Sequence, residues 1–163
     1  AVITGPKSYG TLHVPFVIHA VGPDYDKGDL IANDTLLGDT YNHALELAKE
    51  NKMKHVALPL LSAGIFKRSR TLQQVVKIAM NVIGKFRGYL ELEVVYLYGY
   101  SRHEFDTIIG EASTQGMMED STSLLSVTPS ISPSVLSVLQ RGAGDISVDC
   151  VTDDDTKAQV SMT

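Results

Sequence analysis

The sequence predicts an α/β fold in which helices cover both faces of a sheet. Three short apolar segments are typical of buried strands: Val14–Val21, His55–Leu61 and Leu92–Tyr98. Two segments between them repeat apolar residues at helical spacing. Because strands and helices alternate, we expect a three-layer α/β/α domain whose sheet is mixed but largely parallel.

Each predicted helix has a recognisable start. Asn33 or Asp34 is expected to cap the first helix, and Ser69 or Thr71 the second. The apolar face of the first comprises Leu37, Tyr41, Ala44, Leu45 and Ala48. That of the second comprises Leu72, Val75, Val76, Ala79, Met80, Ile83 and Phe86, with Gly88 as its stop. A third, shorter helix is predicted from Arg102 to about Gly110.

The composition changes after the third helix. Residues 1–110 carry 12 Lys and Arg against 11 Asp and Glu, whereas residues 111–163 carry 2 against 8. The second segment also contains 16 Ser and Thr in 53 positions, and no aromatic residue follows Phe105. We therefore predict a domain at 1–110 and an acidic, disordered tail at 111–163, with a small apolar island at 135–139.

The composition also argues against several functions. The net charge of −5 does not suggest a nucleic-acid-binding surface. Lys67, Arg68 and Arg70 are expected at a solvated helix start, and a local basic patch there stays open. The single cysteine, Cys150, and the spacing of the histidines offer no metal site. There is no apolar run of membrane-spanning length. No basic region precedes an apolar stretch after Ala1, so a signal peptide is not expected in these residues. We expect an intracellular monomer, cytoplasmic or nuclear, that needs no cofactor and does not bind membranes.

The most informative motif is the loop after the second predicted strand, Ser62-Ala63-Gly64-Ile65-Phe66. An apolar strand that breaks into small residues before a helix can present backbone N–H groups to a phosphate. Gly64 lets the main chain approach a ligand because it has no Cβ atom. The motif also fits a plain strand-to-helix turn, so by itself it predicts a nucleotide-like ligand only weakly.

Several blocks in the same order resemble the macro domains, which bind ADP-ribose. Residues 1–5 resemble the family's segment after its first glycine-rich loop, and 17–23 resemble its characteristic strand and turn. Residues 59–66 resemble its second phosphate-binding loop and are very similar to that loop in coronavirus macro domains. Residues 95–100 resemble its last strand. The resemblance covers about residues 1–109.

The resemblance implies a set of ligand-binding residues. The amides of Ser62, Ala63, Gly64, Ile65 and Phe66 would bind the diphosphate, and the Phe66 ring would pack on the distal ribose. Leu60 and Tyr100 would line the adenine side, and Ser101 occupies a position near that end. The partner would be ADP-ribose or an ADP-ribosylated protein. Outside this set, His19 lies within a predicted apolar strand and is expected to be a hydrogen-bonded structural residue.

The sequence also departs from the family. The acidic opening strand, the Asn-rich stretch and the first glycine-rich loop are not found before Ala1, so we expect an N-terminally truncated domain. Residues 144–149 resemble the opening strand superficially, but no Asn-rich or Gly-rich block follows. Two alternatives to a binding module stay open: an ADP-ribosyl hydrolase in the full-length protein, with unknown catalytic residues, and a non-binding domain whose tail binds a partner.

Overall fold

The computed structural model describes residues 1–10, 12–86 and 90–116, and the backbone of short strands between 141 and 162. The chain divides into two compact units. The first comprises Ala1–Met53 and Leu61–Glu91, and the second comprises Lys54–Leu60 and Leu92–Thr163. Strands and helices alternate from Val17 to Thr114, as the sequence predicts for the α/β class.

The first unit contains a two-stranded sheet and two helices. Strands β1 (Val2–Thr4) and β2 (Val17–His19) pair antiparallel. Helix α1 runs from Leu30 to Glu50 and α2 from Leu72 to Lys85, with a 3-10 turn, Ile65–Lys67, before α2. The His19 ring nitrogen lies 3.1 Å from Thr4 Oγ1, which confirms the predicted hydrogen bond, although the His19 side chain is exposed.

The core of this unit lies between α1 and α2. Every residue of the predicted apolar face of α1 is buried, and Leu37, Tyr41 and Leu45 are fully so. The same holds for α2 from Leu72 to Ile83, whereas Phe86 lies at the helix end and is only half-buried. Burying a Leu or Val side chain contributes about 1.5–3 kcal/mol, so this interface supplies much of the unit's stability.

The cap of α1 differs from the prediction. Asp29 is the N-cap, and its carboxylate accepts a hydrogen bond from Ala32 N at 2.8 Å. Asn33 and Asp34 lie inside the first turns because their side chains have tertiary partners. The Asn33 amide donates to Lys27 O at 2.7 Å, and Asp34 pairs with Arg70. For α2 the prediction of Thr71 is confirmed, since Thr71 and Gln74 form a reciprocal capping box.

The second unit is built on a mixed four-stranded sheet. Strand β3 (His55–Pro59) pairs parallel with β4 (Val94–Gly99). Strand β8 (Lys157–Met162) pairs antiparallel with β4 and with β7 (Val148–Asp153), which gives the order β3-β4-β8-β7. Two further strands, β5 (Arg141–Gly142) and β6 (Asp145–Ile146), pair antiparallel.

Helix α3 follows β4 and packs against the sheet of the second unit. It runs from Arg102 to Thr114, one turn beyond the predicted end, because Ile108, Glu111 and Ala112 continue its buried face. Its N-cap is Ser101. No helix in the described ranges is long and apolar enough to cross a membrane.

The predicted division into a partial domain at 1–110 and a disordered tail at 111–163 stays a prediction. Within the second segment the structure has the end of α3 and strands β5 to β8. The predicted apolar island at 135–139 and the predicted helix stop at Gly88 lie outside the described residues.

The capping box of α2 gives a test of helix stability. Replacing Thr71 by Ala removes the hydroxyl that accepts from Gln74 N at 3.2 Å. We expect the free energy of unfolding, measured by urea titration, to fall by about 1 kcal/mol. Thr35→Ala in α1 is the matched control, because the Thr35 hydroxyl donates to Ile31 O of its own helix and does not cap it. An equal loss in both variants would contradict the capping role.

Candidate phosphate-binding loop

The Ser62–Phe66 loop lies in the first unit, directly after Leu61. Ser62 and Ala63 are buried, whereas Gly64, Ile65 and Phe66 are exposed. A Cβ atom added at Gly64 would meet no heavy atom within 4 Å, so the loop is open at this residue. The predicted small-residue turn is therefore a loop with a buried base and an exposed tip.

The base of the loop has an unusual backbone conformation. Ser62 has φ of 55°, in the left-handed region that non-glycine residues rarely adopt. Such a residue costs about 1–3 kcal/mol and persists only where its surroundings hold it. Here the Ser62 hydroxyl donates to Pro23 O at 2.7 Å. The side chain thus compensates for the strained backbone by attaching the loop to the Gly22-Pro23 turn.

Gly22 is needed for this attachment. A Cβ atom at Gly22 would overlap Ser62 Oγ and would lie only 3.2 Å from Leu61 Cβ and 3.3 Å from Leu37 Cδ1. The two backbone segments can approach this closely only because position 22 has no side chain. The Gly22-Pro23 turn, which the sequence marks as the end of a strand, is therefore part of the loop's support.

Both ends of the loop are hydrogen-bonded to residues outside it. Leu61 N donates to the Tyr41 hydroxyl at 2.7 Å, and Tyr25 N donates to Phe66 O at 3.0 Å. Between these ends, the structure has no hydrogen bond from the amides of Ser62, Ala63, Gly64 or Ile65 to an acceptor in its described residues. A run of adjacent donors in a fixed turn is the geometry of a backbone anion site.

The predicted basic patch beside the loop is largely neutralised. Arg70 forms a bidentate pair with Asp34, with its Nε 3.0 Å from Asp34 Oδ1. Arg68 Nε lies 3.8 Å from Asp24 and 3.9 Å from Asp26, and Lys67 Nζ donates to Arg70 O at 3.1 Å. Nearby carboxylates and a carbonyl oxygen thus bind the three cations that the sequence places together here.

A helix N-terminus does not directly follow the loop either. The Ile65–Lys67 turn closes it through the bond from Lys67 N to Gly64 O at 3.1 Å, and α2 begins only at Leu72. Since the Thr71 side chain already caps α2, the dipole of this helix contributes less at the loop than the sequence suggests.

The other predicted ligand residues belong to the second unit. Leu60 N donates to Tyr98 O at 3.2 Å, so Leu60 follows the parallel pair β3 and β4 at the edge where Tyr100 also lies. The Tyr100 side chain is 82% exposed, as an aromatic contact surface requires. Ser101 has a structural role, since its hydroxyl accepts from Glu104 N at 3.3 Å and caps α3. The binding role assigned to each stays a prediction.

No group of three or more His, Cys, Asp or Glu side chains suited to a metal ion occurs in the part of the chain that the structure describes.

Comparison with known proteins identifies the family. The family model described as Macro domain matches residues 2–79, a range that contains the Gly22-Pro23 turn and the whole Ser62–Phe66 loop. Residues 2–79 are therefore similar to the macro domain family. The resemblance noted in the sequence is thereby confirmed for this range.

Individual relatives agree with this assignment. A macro domain-containing protein of Cupriavidus necator is 41% identical over 66 residues, which are 40% of this chain and 36% of the relative. One from Caldanaerobacter subterraneus is 37% identical over 86 residues, 53% of this chain and 46% of the relative. The chain thus spans less than half the length of these curated macro domain proteins.

A solved structure confirms the fold class. The structure of an Oceanobacillus iheyensis macrodomain mutant with ADPR matches with a TM-score of 0.55 and 25% identity. The match covers 70% of this chain and 58% of that protein. The macro domain fold therefore extends beyond the range that the family model matches.

The sequence did not identify the residues that support the loop. The sequence predicts Tyr41 only as a core residue, and it gives no indication that Tyr25 or Asp34 is connected with the loop. One signal was present: a tyrosine on a buried helical face, where phenylalanine would pack equally well, usually has a hydrogen-bond partner. That partner, Leu61, is 20 residues away in sequence, and no local pattern reveals it.

Gly22→Ala tests the close contact between the turn and the loop. The added methyl group must displace Ser62 or the turn, and we expect the free energy of unfolding to fall by about 1–3 kcal/mol. Gly38→Ala is the matched control. Its Cβ atom would lie 3.6 Å from Val82 Cγ2, an ordinary contact, and alanine favours the helix by up to about 1 kcal/mol. Equal destabilisation by both substitutions would disprove the contact.

The two tyrosines that hold the loop also predict a pH dependence. Burial raises the pKa of both Tyr25 and Tyr41, and the hydrogen bond to Asp34 raises that of Tyr25 further. Above about pH 10 the unfolded chain loses these protons first, so the folded state binds more protons and stability falls as the pH rises. Urea unfolding at about pH 8 and about pH 11 measures this loss. The loss of unfolding free energy between these pH values should be smaller in Tyr41→Phe. An equal loss in that variant would show that Tyr41 does not contribute to the pH dependence.

Proposed function

We propose that this chain is a binding module for ADP-ribose, free or attached to a protein, and that the Ser62–Phe66 loop binds the diphosphate. One observation carries the proposal: adjacent amides of the loop make no hydrogen bond to acceptors in the described residues, while both ends of the loop are held. Macro domains are ADP-ribose-binding modules, and the Oceanobacillus iheyensis neighbour is a structure with ADPR.

The chemistry of the loop suits a diphosphate. Phosphate oxygens accept hydrogen bonds and carry negative charge, and hydrogen bonds to charged groups contribute about 1.5–3 kcal/mol each. In this proposal the loop recognises the anion through N–H dipoles, because Arg68 and Arg70 already face carboxylates. An amide donor has a fixed direction, so it selects for the position of the phosphate as well as its charge.

Apolar side chains flank the exposed part of the loop. Phe66 is 42% exposed and Ile65 75% exposed, and both stand beside Gly64. A ribose has apolar C–H faces that pack on such side chains, which supports the assignment of Phe66 to the distal ribose. The assignment of Leu60 and Tyr100 to the adenine side rests on the family resemblance alone. Ser101 is expected to act there mainly as the cap of α3.

The hydrolase alternative stays a prediction from the family resemblance. No observation in the described ranges favours a reaction over binding, and none assigns a catalytic residue. The same holds for binding of a partner by residues 111–163.

Titration calorimetry of the full chain with ADP-ribose tests the proposed function, with AMP as the control ligand. We expect heat of binding with ADP-ribose and at least a tenfold lower affinity for AMP, because AMP lacks the diphosphate and the distal ribose. A sample whose circular dichroism shows a folded protein, and which gives no heat with ADP-ribose, would refute the proposal.

A substitution at Gly64 assigns binding to the loop. Because a Cβ atom there meets no protein atom, Gly64→Val should fold normally while its side chain fills the space proposed for phosphate. We expect at least a tenfold loss of ADP-ribose affinity and an unchanged melting temperature. Gly110→Ala is the control, since position 110 in α3 is equally open. Unchanged affinity in Gly64→Val would remove the loop from the binding site.

A further inference from the structure

We propose that helix α1 positions the Ser62–Phe66 loop for phosphate binding, through Tyr41 at the start of the loop and through Asp34 at its end. Neither residue lies in the loop, and we assign neither a contact with the ligand. Both are positioning residues. The inference rests on the proposed function for its effect on affinity, but its structural part, the order of the loop, is independent of any ligand.

Tyr41 fixes the start of the loop. Its side chain is fully buried in the core between α1 and α2, and its hydroxyl oxygen lies 2.7 Å from Leu61 N. A buried ring in a close-packed core occupies one rotamer, so the hydroxyl is a fixed acceptor. It thereby fixes the amide of Leu61, one residue before the strained Ser62.

Asp34 fixes the end of the loop through Tyr25. Phe66 O accepts from Tyr25 N at 3.0 Å, and the Tyr25 hydroxyl donates to Asp34 Oδ1 at 2.9 Å. Arg70 binds both oxygens of Asp34, and its guanidinium carbon lies 5.8 Å from the centre of the Tyr25 ring. Tyr25 is only 3% exposed, so its ring has little freedom between these contacts.

The two attachments originate from one rigid element. Asp34 and Tyr41 are seven residues apart in α1, which is about two helical turns, and so lie on neighbouring parts of one helical face. The helix therefore sets the distance between the two ends of the loop. Binding to an ordered loop avoids the entropy cost of immobilising it, so the attachments should raise the affinity for an anion that they do not contact.

Tyr41→Phe tests the first attachment, because it removes a single oxygen atom and retains the ring. Tyr9→Phe is the matched control, since it also removes a tyrosine hydroxyl that is hydrogen-bonded, in this case to Thr4 Oγ1 at 3.1 Å. Without ligand, we expect the backbone order parameters of residues 61–66 in Tyr41→Phe to fall below the value of about 0.85 that is typical of a rigid backbone. Those of α1 and α2 should not change. The affinity for ADP-ribose should fall about 3- to 10-fold.

Asp34→Asn is the second variant, and it decides the case if Tyr41→Phe does not fold. Its amide oxygen still accepts from Tyr25, but the charge that holds Arg70 is lost. We expect lower order parameters near Phe66 and a similar loss of affinity. The proposal would be overturned if the folded variants kept the loop order parameters and the ADP-ribose affinity of the parent chain. It would also be overturned if Tyr9→Phe lowered both quantities as much as Tyr41→Phe. If the parent chain does not bind ADP-ribose, the proposed function fails, while the order parameters still decide the positioning role.

Discussion

The structure of the Ser62–Phe66 loop depends on hydrogen bonds from side chains. In an ordinary turn, backbone groups would make these bonds. The Tyr41 hydroxyl accepts from Leu61 N, and the Ser62 hydroxyl donates to Pro23 O. In a regular turn, neighbouring carbonyl groups would accept from the amides between these anchors. Here the backbone is held in place, while the amides between the anchors make no hydrogen bond to an acceptor in the described residues. This is the requirement for a backbone site that binds an anion without reorganising.

The distribution of charge is consistent with recognition by dipoles. Three cations stand next to the loop, yet the contacts of Arg68 and Arg70 are with Asp24, Asp26 and Asp34. Arg68 thereby connects the chain after the loop with the polar segment before α1, and Arg70 connects it with α1 itself. An amide site discriminates by geometry, whereas a cluster of free cations would attract any anion over several ångströms. The arrangement therefore favours a ligand of defined shape over polyanions in general.

Periodicity and motif were enough to predict the helices, the central strands and the position of the loop. The buried faces of α1 and α2 follow directly from apolar spacing, because a helix with one apolar stripe has one way to bury it. The cap of α1 could not be predicted in the same way. Asp29, Asn33 and Asp34 are equally good caps in isolation, and tertiary partners of Asn33 and Asp34 decided between them.

Contacts between residues that are distant in sequence account for the other differences. The pairing of Tyr41 with Leu61 and of Asp34 with Arg70 spans 20 and 36 residues. The high Ser, Thr and Asp content after residue 110 predicted a tail without regular structure, and it gave no indication of strands β7 and β8. Alternation of apolar and polar residues from Val148 to Thr152 was a signal for a strand, but a five-residue pattern is weak beside acidic neighbours.

The closeness of Gly22 and Ser62 has a consequence for variation among homologous sequences. The two positions are 40 residues apart but share one small volume, which either side chain can occupy and both cannot. A larger residue at position 22 therefore requires loss of the hydroxyl at position 62 and small shifts of Leu61 and Leu37. Glycine at position 62 would also relieve the positive φ there. The pair should change jointly in descent, and libraries that vary position 22 alone will sample mostly distorted loops.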